Sequence, residues 1–112
     1  AAGDLAGAVE GWEKVVDHHP RDEAAKSELA RVRVALRSRQ GADATDPADR
    51  ADALFAAGDH AGAFDILLQL IADTQGEERD AARVRLIDLF RVAGNAPEVR
   101  AARQKLSALL LV

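Results

Sequence analysis

The sequence contains no cysteine and no methionine, and only 4% of its residues are aromatic. Without thiols, disulfides, thiolate metal sites and cysteine nucleophiles are excluded. The same lack fits a cytoplasmic protein, because reduced compartments give no use for structural disulfides. The missing initiator residue, together with the opening Ala1-Ala2-Gly3-Asp4, which reads as the last turn of a helix followed by a tight turn, leads us to expect the C-terminal piece of a longer protein. No apolar run approaches the roughly 20 residues that span a bilayer, and no leader pattern opens the chain, so no membrane partner is expected. Basic residues are not in excess either. With a net charge of −4 the chain lacks the electrostatic footprint that draws nucleic acid or anionic lipid.

What is present favours helix. The 112 residues suit one domain over 1–112, long enough to bury roughly two-thirds of the unfolded surface. Hydrophobic residues make up 48%, much of it alanine. Alanine, leucine and arginine all have low intrinsic helical cost.

The string Ala1-Ala2-Gly3-Asp4-Leu5-Ala6-Gly7-Ala8 recurs as Ala56-Ala57-Gly58-Asp59-His60-Ala61-Gly62-Ala63, changed only at Leu5 and His60. Gly3 and Gly58 can take the left-handed conformation that closes a helix. Asp4 and Asp59 can then accept from the free N–H groups of the next helix. Ala8 and Ala63 are small enough to let two helices approach closely. The segment is a helix–turn–helix hinge, written twice.

Periodicity and stop signals predict six antiparallel helices, an all-α fold. The first runs from about Asp4 to His18, with Leu5, Ala8, Val9, Trp12, Val15 and Val16 on one face, and Pro20 ends it. The second starts after Asp22 and reaches about Gln40, with Ala25, Leu29, Val32 and Leu36 inward and Gly41 as stop. Residues 41–46 form a polar break. The third is capped by Asp46 with Pro47 at its first position, and carries Ala51, Leu54 and Phe55 inward up to Gly58. The fourth spans about His60 to Asp73, burying Ala63, Phe64, Leu67, Leu70 and Ile71. The fifth covers Glu77 to Ala93, burying Ala82, Leu86, Leu89, Phe90 and Ala93, and stops at Gly94. The sixth opens near Pro97, with Val99, Ala102, Leu106, Leu109 and Leu110 inward.

Gly3-Asp4, Ala8, Trp12 and Pro20, with Gly58-Asp59 and Ala63, stand at the spacing of a tetratricopeptide repeat, which the chain resembles; Leu67 takes the place of the second aromatic and Gln75 that of the second proline. The stretch Ala63-Phe64-Asp65-Ile66-Leu67-Leu68, then Asp80-Ala81-Ala82-Arg83, Leu86, Phe90, Gly94, Pro97, Val99, Arg103 and Leu106, is similar to the C-terminal helical region of bacterial thioredoxin-like co-chaperones. Between Gln40 and Gly58 the third helix is short and the spacer compressed for that family. The resemblance implies a preceding thioredoxin domain, binding to a chaperonin or an unfolded client protein, and a packing or partner role for Arg83 and Arg103.

Few residues suggest chemistry. His18 and His19 are adjacent on a helix end, so they point roughly 100° apart and rarely share one ion; at a C-terminus their partial charge suits the dipole. His60 has no triad partner at suitable spacing and reads as a filler in the hinge. No acidic residue falls in an apolar stripe where burial would raise its pKa, and no glycine-rich loop cradles phosphate. The expectation is therefore a non-enzyme with no cofactor and no metal. Arg31, Arg33, Arg37 and Arg39 give the second helix a basic half that reads as a solvated face, although Arg33 and Arg37 share a side. Arg85 and Asp88 stand at i, i+3 and can pair. Trp12 fits the core by its spacing, with a hot-spot anchor as the rival reading. A chain that opens inside a hairpin leaves its first helix unpartnered, so Leu5, Val9 and Trp12 are expected to be exposed and covered by a second copy or a neighbouring chain. A purely structural or oligomerisation module is the alternative function.

Overall fold

Turn chemistry sets the element ends. The computed structural model describes residues 4–39 and 45–111, and they form six helices: α1 (Leu5–His18), α2 (Glu23–Arg39), α3 (Pro47–Ala56), α4 (His60–Asp73), α5 (Gly76–Ala93) and α6 (Pro97–Leu110). Three aspartates cap as short acceptors should. Asp22 Oδ1 accepts from the Ala25 N–H at 3.0 Å, Asp46 Oδ1 from the Ala48 N–H at 3.0 Å, and Asp59 Oδ1 from the Gly62 N–H at 2.9 Å. Proline opens α3 and α6, where its missing N–H would have no intrahelical acceptor.

The hinge before α4 is a Schellman closure. Gly58 adopts φ +95°, so the Asp59 N–H reaches the Leu54 carbonyl at 2.9 Å and the Gly58 N–H reaches Phe55 at 3.0 Å. Gly94 ends α5 with φ +78°. The first copy of the repeat differs: the Asp4 side chain makes no capping bond, although the Asp4 carbonyl accepts from the Ala8 N–H at 3.0 Å. Gly3, Gln40, Gly41 and residues 42–44 of the polar break lie outside the described residues.

Two hairpins, α1–α2 and α3–α4, supply the frame, and α4 is the hub. Helices α3, α5 and α6 all pack on it, α2 lies against α5 and touches α3, and α1 packs on α2. Close approach of α3 and α4 is made by Ala51 and Ala63, both without exposed surface. Around them Phe55, Phe64, Leu67, Leu68, Ile71, Ala82, Leu86, Leu89, Phe90, Val99, Ala102 and Leu106 form one apolar cluster. Phe64 of α4 and Phe90 of α5 meet edge to face, 5.1 Å between ring centres, the geometry that ring quadrupoles prefer. His60 stacks on Phe55 at 4.2 Å, which fills the hinge with a ring where the first copy has Leu5.

The predicted inward faces hold closely, with two departures. Leu110 is 49% exposed, just past Leu109, the last residue of α6 packed against the cluster. And α1 has no buried residue at all: Leu5, Ala8, Val9, Trp12, Val15 and Val16 are each half-buried. Its partner α2 does bury Ala25, Leu29, Ala30 and Val32, but these lie outside the α3–α6 cluster.

Candidate protein-binding surface

Between the α1–α2 hairpin and the rest sits a layer of charge. Asp52 on α3 and Asp88 on α5 are 7% and 5% exposed, each held by arginines. Arg37 of α2 donates through Nε to Asp52 Oδ2 at 2.8 Å and through Nη1 to Asp88 Oδ2 at 3.4 Å. Arg33, one turn earlier, reaches Asp88 Oδ1 at 3.4 Å, and Arg85 reaches Asp52 Oδ2 at 3.3 Å and Asp49 Oδ1 at 3.4 Å. Burial pushes the Asp88 carboxyl above its ordinary value, against the opposing pull of Arg33 and then Arg37. The attraction does not fully offset the loss of water, as is usual for interior ion pairs.

This network corrects three expectations. Arg33 and Arg37 are not a solvated face; only Arg31, bonded to Glu28 at 2.7 Å, and Arg39 are exposed. Acidic residues do enter the packed interior, at Asp52 and Asp88. Arg85 does not pair with Asp88 but turns toward α3. A signal was present: Arg33 and Arg37 stand at i, i+4 on one face, so both demand acceptors from the same neighbour. Which neighbour depends on contacts 51 and 55 residues apart, and helical period carries no such information.

The residues proposed for partner binding lie on three different helices. Trp12 sits half-buried on α1. Arg83 on α5 is drawn to Asp80 of its own helix at 2.7 Å. Arg103 on α6 is exposed and lies over the Phe90 ring, 5.0 Å from its centre, a cation–π contact that ties α6 to α5. His18 is the last residue of α1 and His19 follows it, both exposed; among the described residues no three histidine or acidic side chains converge as metal ligands would.

Open grooves line the described surface, and three of them have apolar floors. One runs between α4 and α6 over Leu68, Ala72, Ala108 and Leu109, bridged by Lys105 and Asp65 at 3.9 Å. A second is bounded by Pro47, Ala48, Leu70, Ala81 and Arg85. The third lies where α1 and α2 face α5, floored by Val16, Leu29, Val84 and Ile87 and walled by Lys26, Arg33 and Arg91. Stacked helices with apolar grooves can hold a peptide or another helix by surface complementarity.

The family described as Tetratricopeptide repeat matches residues 22–111. The chain belongs to the tetratricopeptide-repeat family. Members of it are in general protein-interaction modules rather than enzymes. The chain is also 35% identical, over 121 aligned positions and 96% of its own length, to uncharacterised proteins of Mycobacterium bovis and of two strains of Mycobacterium tuberculosis. It spans about 40% of the length of those relatives. No solved structure matches it. None of its described helices is long and apolar enough to cross a membrane.

Proposed function

We propose that this tetratricopeptide-repeat chain is a non-catalytic protein-binding module of a cytoplasmic thioredoxin-like co-chaperone, and that it engages a chaperonin or an unfolded client. The observation that carries this is α1. Its apolar stripe, from Leu5 to Val16, contains six residues of which none is buried. A helix with that face half open offers surface that water does not favour, and a partner's apolar side chains would cover it. The similarity of residues 63–106 to the co-chaperone tail supports the finer assignment. Trp12 on the open stripe, and Arg83 and Arg103 on α5 and α6, are the residues we assign to partner contact.

The test uses the 112-residue chain with an unfolded protein and, separately, with a chaperonin, following co-sedimentation and Trp12 emission. Binding weakened by Trp12→Ala supports the assignment; no binding to either refutes it. A second reading is favoured by the same open stripe, namely that a second copy covers it and the chain is an oligomerisation module. Sedimentation velocity showing a strict monomer at high concentration removes that reading.

A further inference from the structure

We infer that the cleft between the α1–α2 hairpin and α5 is a docking site for an acidic amphipathic segment of a partner protein, and that Glu23 fills the partner's carboxylate position in the free chain. This deepens the protein-binding reading by naming one surface and the chemistry that fits it.

Two helices present matched faces to the cleft. On α2 the residues are Lys26, Leu29 and Arg33, at i, i+3 and i+7; on α5 they are Val84, Ile87 and Arg91, at the same spacing. Residues so spaced lie along one side of a helix, so each wall offers an apolar middle and a cationic end. Val16 of α1 closes the floor. Leu29 is buried, whereas Val84 is 39% exposed, one of the few large apolar side chains left in water. The floor therefore takes apolar side chains from outside.

Charge says what surrounds them. The side chains of the cations Lys26, Arg33 and Arg91 are 30%, 31% and 25% exposed, and Arg33 turns Nη1 to the buried Asp88. The whole chain carries −4, and these three cations are met by Glu13, Glu23 and Asp88, so an incoming acid must exchange with a resident carboxylate. Arg33 holds Asp88, a further lining residue of the cleft, at 3.4 Å, whereas the other carboxylates meeting these cations are surface groups. Glu23, with 69% of its side chain exposed, bonds Arg91 at 2.9 Å and lies 3.6 Å from Lys26; Glu13, 48% exposed, lies 3.7 Å from Arg33. Arg91 first, and Lys26 after it, hold the Glu23 carboxyl below its ordinary range, so the site already prefers an ionised acid there. Pairs so exposed are weak and readily exchanged. An incoming acidic residue would displace Glu23 while its apolar neighbours reach Val84 and Ile87, a gain that Glu23 alone does not provide.

The probe is a fluorescein-labelled peptide of about 16 residues with leucine and glutamate at amphipathic helical spacing, titrated against the 112-residue chain by anisotropy. Matched peptides carry lysine for glutamate, or serine for leucine. The leucine–glutamate peptide should bind, and binding should weaken as salt rises from about 0.05 to about 0.5 M. Arg91→Glu should weaken it by about tenfold or more, while Glu23→Gln, which removes the internal competitor, should tighten it a few-fold. Both positions are at the surface, and circular dichroism checks that the fold is kept. Equal binding by the lysine or the serine peptide, no response to Arg91→Glu, or weaker binding by Glu23→Gln overturns the inference. Client and chaperonin binding is read in the separate co-sedimentation assay, so this cleft can fail while the broader function stands.

Discussion

Replacing Arg37 by methionine is the sharpest probe of how the two parts of the molecule are joined. Arg37 is 18% exposed at its side chain and bridges Asp52 of α3 and Asp88 of α5. Removing one partner of a buried ion pair costs about 3–5 kcal/mol, because the other charge is left without compensation. Here each aspartate keeps a second arginine, Asp52 through Arg85 at 3.3 Å and Asp88 through Arg33 at 3.4 Å. The expected cost therefore falls to about 2–3 kcal/mol. For a chain of this size that lowers the melting temperature by on the order of 10 °C. Thermal and urea unfolding followed by circular dichroism measure it, and Trp12 emission reports the α1–α2 hairpin separately. The triple change Arg37→Met, Asp52→Leu, Asp88→Leu should recover most of the loss, since an apolar replacement of a buried ionic group is often neutral or better. Arg33 and Arg85 can turn their heads to solvent. A melting point within about 2 °C of the parent, or a triple variant less stable than the single one, would refute this account.

Other outcomes follow from the same geometry. Asp88 titrates with a raised value, so between that value and the ordinary 3.8 the folded chain holds a proton that the unfolded chain has released. Its contribution to stability must therefore increase as pH falls through that window; urea midpoints of the parent relative to Asp88→Asn should rise on acidification, and a relative fall contradicts it. Gly58→Ala forces a side chain onto φ +95° and should cost about 1 kcal/mol or more in urea unfolding. Ala63→Leu, at a position with no exposed surface between α3 and α4, should cost about 1–3 kcal/mol by overpacking. Asp59→Ala removes the bond to the Gly62 N–H and should cost about 1 kcal/mol, whereas Asp4→Ala, which removes no capping bond, should cost less.

The helices were legible because their signals are local. Pro47, Gly58, Gly94 and Pro97 mark boundaries through backbone geometry that the residue itself imposes, and the stripe of α4 follows from spacing alone. The twin hinge was legible as a motif, but its two aspartates do not act alike. Asp59 caps and Asp4 does not, though their neighbours are nearly identical. The site was harder. Trp12 has the spacing of a core residue and is half-buried, because burial depends on what lies beyond α1 rather than on α1 itself. Asp52 stands beside Ala51 and Asp88 beside Leu89, so both resemble the polar edge of an apolar stripe. They are interior only because α2 crosses them and brings its arginines. The cleft toward α5 likewise combines residues more than fifty positions apart, such as Leu29 and Val84, and no pattern within either helix announces the other.

The absence of any buried side chain on α1 has a consequence for energetics. A helix whose contacts are all shallow has little free energy separating its docked form from a frayed one. Whatever settles on its outer side would stabilise the docked form by mass action, in proportion to how far its concentration exceeds the dissociation constant. The amide protons of α1 should therefore exchange fastest in the isolated chain and slow the most upon association, making this one rod a gauge of occupancy for the whole module.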